Sequence, residues 1–497
     1  MYKLINILFL LLPLVGLSQK DTLAHLYAIG GIGIDKAEEI ITTADGGYVV
    51  VGSTTSNTSG NTDVYLLKLD SQINVVWSWA MGGNNNDWGY AVKETFDKGF
   101  IIASTTNSFG VNGDYNARLI KTDSLGVIQW HNIYGGNDWD LVYDVVQTAD
   151  SGFAFCGETY NNTNGESDVY IVKTNSLGDT LWTKTIGGTL VDRGNSIMET
   201  TDSSIVVAGM TTTITDSVQM YIIKLTATGS LTWNNAYGTI AYEEANVVIE
   251  AANGDYVLGG VTTGFTPNND KDFYMIRTDT SGNAIWGNYF GQTGEEVIYD
   301  LVELADGSFF NTGHTAAAGN GGKDALVFLV TSVGGWGFSA STFGGTKDEE
   351  SKSILLGPNE ALKIAGFTKS YGNGLEDVMF IEIDTVVTNH QFTLDTINDF
   401  MPLKIDDLTS WKPDSEKKVL IFPNPSNSFA HFDISKIEAE KILITTIFGQ
   451  TVYEANISNK ELLQINFEKF SAGIYSVQFY NKNKLIEAQK LIIRATN

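Results

Sequence analysis

The stretch Gly135-Gly136-Asn137-Asp138-Trp139-Asp140 decides the fold of this chain, because its plan recurs along most of the sequence. An aromatic or aliphatic residue is followed by glycine and, six residues after that first residue, by a carboxylate. This carboxylate, which we call the acid column, returns seven times at intervals of 51 to 53 residues: Asp35, Asp87, Asp140, Asp192, Glu243, Glu296 and Glu349. Acids are only 58 of 497 residues, so the spacing indicates seven units of an internal repeat.

Each unit reads as four short strands separated by turn residues. In the second unit these strands are Tyr90 to Glu94, Phe100 to Thr106, Tyr115 to Lys121 and Val127 to Tyr134. Four strands at this period are typical of a β-propeller blade. A tryptophan recurs in the fourth strand, where it predicts packing between blades: Trp77, Trp130, Trp182, Trp233 and Trp286. The sequence therefore predicts an all-β protein whose residues 19–384 form a seven-bladed β-propeller.

The seventh unit loses the pattern before its fourth strand. A matching segment stands at the other end of the array, because Leu23 to Gly31 aligns with Leu181 to Gly188 of the third unit. A propeller needs its last blade tied to its first, and a donated strand removes exposed sheet edges. We expect residues 22–29 to close the seventh blade.

The repeats resemble bacterial β-propeller repeats of secreted Bacteroidetes proteins. The resemblance rests on Gly82 to Asp87, Asp45 to Gly52 and Asp63 to Asp70, and it covers residues 22 to about 384. A second aspartate column belongs to this pattern, with Gln219 in the place of an acid in the fourth unit: Asp63, Asp114, Asp168, Asp272, Asp324 and Asp377. The resemblance implies a secreted propeller.

The N-terminus and the charge also indicate an extracellular protein. Residues 1–18 carry Lys3, an apolar run from Leu4 to Leu17 and then Ser18, the layout of a signal peptide, and that run is too short for a membrane span. We expect no transmembrane segment in the mature chain, and the lone Cys156 fits a buried strand position. Residues 1–418 carry a net charge of −28 and residues 419–497 one of +1; the strong negative charge disfavours nucleic acid as a partner and favours cations or basic partners.

The repeat gives way to a linker, residues 385–418, and then to a small domain, residues 419–497, whose short strands suggest an antiparallel, immunoglobulin-like β-sandwich. This domain resembles the C-terminal sorting domain of the type IX secretion system. The residues that carry the resemblance are Phe422, Pro423, Asn424, Pro425, Gly449, Gly473 and Tyr475. It implies that the secretion machinery is a partner and that the chain is released or held on the outer cell surface.

Two interpretations of the acid column stay open. Each carboxylate accepts backbone N–H groups where an inner strand begins, or the seven together hold a hard cation such as Ca²⁺ at the channel mouth. We favour the first, because every unit needs the same turn stabilised.

The loops between units are where specific recognition would lie. Trp88 and Trp139 stand beside Asn and Asp, which suits stacking on a sugar ring, and Tyr242 occupies a similar loop. We therefore predict a binding or adhesion module for a polysaccharide or another surface protein. The alternatives are a glycan-active enzyme that uses channel carboxylates, and a structural array without a specific ligand. No zinc-protease motif or hydrolase nucleophile elbow is present in the sequence.

Overall fold

The computed structural model describes residues 24–493, leaving out 57, 59–60, 111–112, 162, 164, 214, 216, 265–269, 358–359, 384–391, 399–402, 405–419, 423–428, 435–437, 447–450, 458–461, 468, 471–472 and 483. Every regular element in these ranges is a β-strand, so the protein is all-β. The described residues include no helix of the length and apolarity needed to cross a membrane. The signal-peptide prediction for residues 1–18 lies outside them.

Consecutive strands of the repeat form antiparallel sheets in chain order. Sheet one is β2 (Asp35–Thr42), β3 (Tyr48–Thr54), β4 (Asp63–Leu69) and β5 (Val75–Met81). Sheet two is β6 (Asp87–Glu94), β7 (Phe100–Thr106), β8 (Asn116–Thr122) and β9 (Ile128–Tyr134). Sheet three is β10 (Asp140–Gln147), β11 (Phe153–Thr159), β12 (Asp168–Thr174) and β13 (Thr180–Ile186). Sheet four is β14 (Asp192–Glu199), β15 (Ile205–Thr212), β16 (Val218–Leu225) and β17 (Leu231–Tyr237).

The later sheets repeat this order. Sheet five is β18 (Glu243–Glu250), β19 (Tyr256–Thr262), β20 (Asp272–Thr278) and β21 (Ala284–Phe290). Sheet six is β22 (Glu296–Glu303), β23 (Phe309–Thr315), β24 (Asp324–Val330) and β25 (Trp336–Phe343). Sheet seven is β26 (Glu349–Leu356), β27 (Leu362–Thr368), β28 (Asp377–Ile383) and, from the start of the chain, β1 (Ala24–Gly30). The array is thus a propeller-like succession of four-stranded antiparallel sheets.

β1 is antiparallel to β28, with Tyr27 opposite Phe380. A further strand, β29 (Phe392–Asn398), runs parallel to β1 on its other side, and β30 (Leu403–Lys404) runs parallel to β5. Both strands fall inside the range predicted as a linker, 385–418, so that prediction needs correction there. The physical reason is that each covers the open edge of a sheet, where unpaired N–H and C=O groups accept another strand.

Neighbouring sheets share apolar cores. Val378 and Phe380 of sheet seven pack in one cluster with Val50 and Leu67 of sheet one, so the last sheet meets the first. The N–H of Asp35 also donates to the carbonyl of Glu376 across this junction, at 2.8 Å. The predicted buried position of Cys156 is observed, in the core between sheets three and four.

The first strand of every sheet is bulged after its third residue, as between Ala37 and Glu39. Gly52 lies opposite this bulge, where an added Cβ would stand 1.9 Å from the carbonyl oxygen of Lys36. Glycine is therefore required for the close approach of the two strands. The bulged residues of all seven first strands face one another and line a central cavity of about 330 Å³.

The described C-terminal residues form two more antiparallel sheets. Sheet eight is β31 (Leu420–Phe422), β32 (Phe429–Asp433) and β35 (Leu462–Asn466). Sheet nine is β33 (Lys441–Thr446), β34 (Thr451–Asn456), β36 (Gly473–Asn481) and β37 (Lys484–Ile493). Phe432 and Leu463 of sheet eight share an apolar core with Ile442, Val477 and Leu491 of sheet nine.

Candidate functional site

The acid column lies at one end of the array, which we call the acid face. Each acid is the first residue of the first strand of its sheet, next to the loop that arrives from the preceding sheet. The loops between second and third strands reach the same face: the N–H of Asn85 donates to Ser108 Oγ at 3.0 Å, and that of Asn86 to Asn107 Oδ1 at 2.8 Å. Variable loops of two kinds therefore meet on one surface.

All seven acids of the column are buried and accept hydrogen bonds from the loop that precedes their strand. Each takes the backbone N–H four residues earlier, at 2.6 to 3.2 Å. Asp140, for example, also accepts from Thr159 Oγ1 at 2.5 Å and from Asn161 Nδ2 at 2.8 Å. Burial raises the pKa of Asp140, and these donors act in the opposite direction.

This geometry supports a hydrogen-bonding role, because each carboxylate is enclosed in its own turn and does not face the other six. Within the described part of the chain, no group of three or more His, Cys, Asp and Glu side chains could hold a metal ion. The column acids do not line the central cavity, whose carboxylates are Glu38, Glu39, Asp144 and Asp300.

The second column brings another acid to most junctions between sheets. At the junction of sheets one and two, a Cβ on Gly82 would lie 2.1 Å from Asp63 Oδ1 and 2.8 Å from Asp87 Oδ2, so glycine is what lets the two carboxylates approach. The buried Arg118 offsets part of their charge, with Nη1 at 3.4 Å from Asp87 Oδ1. Burial lowers the pKa of Arg118 to about 10, while Asp87 and Asp63 raise it.

Sequence alignment placed Asp114 in this second column, and that placement is wrong. Asn116 opens β8 and stands opposite Thr106, as Asp63 stands opposite Thr54 in sheet one. Asp114 precedes the strand, where its carbonyl accepts from Asn116 Nδ2 at 2.8 Å.

Two of the predicted ligand-binding residues are joined by tyrosines into what we call the aromatic row: Trp88, Tyr115, Trp139 and Tyr160. Ring centroids lie 5.2 Å apart between Trp88 and Tyr115, 5.4 Å between Tyr115 and Trp139, and 6.0 Å between Trp139 and Tyr160. The row crosses the acid face from sheet two to sheet three. Trp139 is 45% exposed, the most accessible member, whereas the other three are partly buried.

Beside the row lies a polar group at the end of the central cavity, which we call the mouth cluster: Tyr143, Glu158, Arg193, Tyr242 and Glu244. Tyr143 donates to Glu158 Oε1 at 2.9 Å, and Arg193 Nη2 lies 2.6 Å from Glu244 Oε1. Burial raises the pKa of Glu244, but Arg193, Tyr242 and Asn195 together outweigh it and the net shift is downward, so the carboxylate is held ionised. The cluster presents fixed hydrogen-bonding groups next to apolar rings.

Tyr242, the third predicted ligand residue, lies in this cluster and not in the row. Its hydroxyl donates to Glu244, and Lys271 Nζ lies 5.6 Å from its ring centroid. Burial, followed by Glu244, raises its pKa.

A second group of charges stands on the other side of the cavity. Lys352 Nζ is 3.5 Å from the ring centroid of Tyr299 and 2.8 Å from Glu350 Oε2. Burial alone would raise the pKa of Glu350, but Lys352 and the neighbouring His314 and Lys323 bring it to about 2. Burial lowers the pKa of His314 to about 4, so this imidazole is neutral near pH 7.

Several residues of the site were missed by sequence reasoning: Tyr115, Glu158, Tyr160, Arg193 and Glu244. Arg193 and Glu244 each directly follow an acid of the column, as Trp88 does. This common position in the repeat could have identified them. Tyr115 and Tyr160 lie in loops of unequal length, so the repeat does not align them.

The sorting-motif residues are only partly within the described ranges. Phe422 ends β31, Gly473 begins β36, and Tyr475 is buried in the core that the two C-terminal sheets share. Pro423, Asn424, Pro425 and Gly449 lie outside the described residues.

Comparison with known families identifies the C-terminal region. Residues 420–494 match the family described as a secretion system C-terminal sorting domain. The chain thus carries a type IX secretion sorting domain, and it is a protein exported to the cell surface or released. No transmembrane helix is found among its described residues.

Weaker similarities link the chain to other proteins. It is 26% identical over 189 residues to the regulatory protein FlaEY of Caulobacter vibrioides, a match that covers 32% of this chain and only 20% of FlaEY. A Dyadobacter fermentans protein of unknown function is 11% identical, with a TM-score of 0.42 and coverage of 72% of this chain and 98% of that one. PorZ, a surface component of the type IX secretion system of Porphyromonas gingivalis, is 11% identical, with a TM-score of 0.33 and coverage of 93% and 75%.

Proposed function

We propose that this exported protein is a closed seven-bladed β-propeller, followed by an immunoglobulin-like sorting domain, and that it binds a polysaccharide on its acid face. Seven sheets in chain order, with the last packed against the first, support the closed propeller. The two C-terminal sheets with one common core support the sandwich.

The aromatic row carries the ligand assignment. Sugar rings present apolar C–H faces that stack on tryptophan and tyrosine, and their hydroxyls need donors and acceptors at the ring edge. Trp139 offers an exposed face, and the mouth cluster beside it supplies both carboxylates and hydroxyls. A row that spans two sheets suits several successive sugar units better than a single one.

A glycan array probed with the chain from residue 20 onward tests this. We expect Trp139→Ala and Trp88→Ala each to weaken binding by about tenfold, since each removes a stacking surface. Phe96→Ala is the matched control, because Phe96 is also an exposed aromatic, 63% accessible, but follows β6 at the end opposite Asp87. It should bind glycans as the unchanged protein does.

The same experiment distinguishes glycan binding from the alternative functions. Adding a chelator should leave binding unchanged, because the row contains no metal ligand; a chelator-sensitive signal would favour the calcium interpretation of the acid column. Release of shortened glycan would favour the enzyme. Unaltered binding in both tryptophan variants would rule out the aromatic row, and an array without any signal would favour a protein partner or a purely structural array.

A further inference from the structure

A second cavity, of about 560 Å³, opens between sheets five and six, outside the acid-face site. Tyr289 and Trp336 stand at its mouth, 48% and 43% exposed, and Phe273 and Leu326 are buried at its floor, 2% and 6% exposed. The volume falls within the range of small-molecule pockets, about 300 to 1,000 Å³. Aromatic side chains form much of its wall, and we call it the slot.

Small side chains keep the slot open. Ala317 and Ala318, in the loop after β23, and Ala340 on β25 line it where larger side chains would fill it. On one wall, the Trp336 ring stacks on Phe328 with centroids 4.9 Å apart and an interplanar angle of 9°, and it lies 5.1 Å from Phe290. Packing inside the protein therefore holds the tryptophan in place.

The inner end of the slot is acidic. Glu296 of the acid column lines it, and Asp272, fully buried, lies behind Glu296 at the same junction. Asp272 shares a hydrogen bond with Glu296, and the Ser341 Oγ that lines the slot is buried without a partner. Burial, and then Glu296 and Asp270, raise the pKa of Asp272 to about 7, and no positive group opposes them.

Two other junctions of the array lack an uncompensated acid pair. Between sheets one and two, the equivalent acids Asp63 and Asp87 have the buried Arg118 beside them. Between sheets four and five, Gln219 takes the place of the second-column acid. The junction of sheets five and six therefore has an uncompensated acid pair next to an aromatic cavity.

We infer that this slot binds an organic cation, a molecule with an aromatic ring and a protonated amine. The ring would lie between Phe290, Tyr289 and Trp336, and the ammonium would lie at Glu296 and the unpartnered Ser341 hydroxyl. Cations are attracted both to aromatic faces and to a buried carboxylate that lacks a counter-charge. The slot is distinct from the glycan site and does not depend on it.

Isothermal titration calorimetry of the chain from residue 20 onward tests the inference with three probes of one shape: tryptamine, 3-ethylindole and indole-3-propionate. We expect tryptamine to bind about tenfold more tightly than the neutral indole, and the carboxylate not to bind, because only the amine meets the acid pair. Glu296→Gln should remove most of the tenfold preference. Ala340→Phe should fill the slot and weaken all binding.

Glu349→Gln is the matched control, because Glu349 has the same place and the same backbone contact at the next junction. It should leave tryptamine binding unchanged, and thermal melts show whether each variant is folded. Equal affinity for tryptamine and 3-ethylindole, an equal loss in Glu349→Gln and Glu296→Gln, or no tryptamine binding to the unchanged protein would each overturn the inference. Tryptamine binding that survives Ala340→Phe would also overturn it.

Discussion

At the scale of single residues, the acid column places a carboxylate at the same position in each of seven sheets. Asp140 accepts donors from Gly136, Thr159 and Asn161, whereas Asp87 also faces the buried Arg118. We therefore expect Asp140→Asn, which keeps a carbonyl acceptor, to cost about 1 kcal/mol of unfolding free energy. Asp87→Asn should cost more, about 3 kcal/mol, because it leaves Arg118 with less compensation.

Denaturant unfolding with and without calcium or chelator measures both costs. The two substitutions are at different junctions, so their effects should add within about 0.5 kcal/mol, and neither should change with calcium. Asp144 and Asp138 are not suitable controls, since the carboxylate of each accepts a backbone N–H; Glu166→Gln, at an exposed loop position, is suitable and should be neutral. Chelator-dependent stability that the double substitution abolishes would contradict the hydrogen-bonding role.

Single residues also mark how far the sequence could predict the site. The acid column was found because it recurs at fixed spacing, and Trp88 and Trp139 because they stand beside it. Arg193 and Glu244 were missed because recognition residues differ between units, so a search for repetition passes over them. Asp114 was wrongly assigned to the second column, because β8 begins two residues later and Asn116 occupies the position opposite Thr106.

At the scale of elements, β1 shows what the edge of a sheet requires. Ala24, Leu26, Ala28 and Ile29 are fully buried, and the strand pairs with β28 on one side and β29 on the other. Deleting residues 20–30 should expose the edge of β28 and open the core of sheet seven, so we expect a large fall in melting temperature or an insoluble product. Deleting only residues 20–23 is the control and should have little effect. An unchanged melting temperature in the longer deletion would show that β1 does not close the array.

The alignment of Leu23 to Gly31 with the fourth strand of unit three is the sequence signal for this pairing, since it carries the same Gly-Gly ending. β29 and β30 had no such signal. They lie beyond the end of the repeat, and parallel pairing with a sheet edge depends on which edges the fold leaves open.

At the scale of the whole molecule, the junction acids make stability depend on pH. The pKa of Asp272 is raised to about 7 and that of Asp377 to about 6, in both cases chiefly by burial, with a neighbouring acid adding to it. An acid whose pKa is higher in the folded than in the unfolded state stabilises the protein at low pH. This contribution is lost as the pH rises through the folded-state pKa. We expect the unfolding free energy to fall by on the order of 1 kcal/mol between pH 6.5 and pH 8.

Denaturant unfolding at a series of pH values measures this fall. His314, whose lowered pKa acts in the opposite direction, does so chiefly below its unfolded-state pKa of about 6.5 and offsets only part of the fall within the chosen window. Burial also raises the pKa of Glu39 to about 7, so Asp272→Asn removes one of two groups that titrate in this window and should reduce the slope by about half. A slope of the opposite sign, or an unchanged slope in that variant, would contradict the assignment.

Export of the whole chain depends on the C-terminal sorting domain, which has its own apolar core. Sheets eight and nine bury Phe432, Ile442 and Val477 in one cluster, separate from the clusters of the repeat. Removing residues 419–497 should therefore leave the array, with β29 and β30, able to fold while it accumulates in the periplasm. Protease treatment of intact cells, with cell fractionation, measures this, and a full-length chain with a small tag inserted at the exposed loop residue Asn84 serves as the displayed control. Normal surface display of the truncated chain would mean that export information lies in the array itself, because nothing else of the sorting domain would remain to direct it.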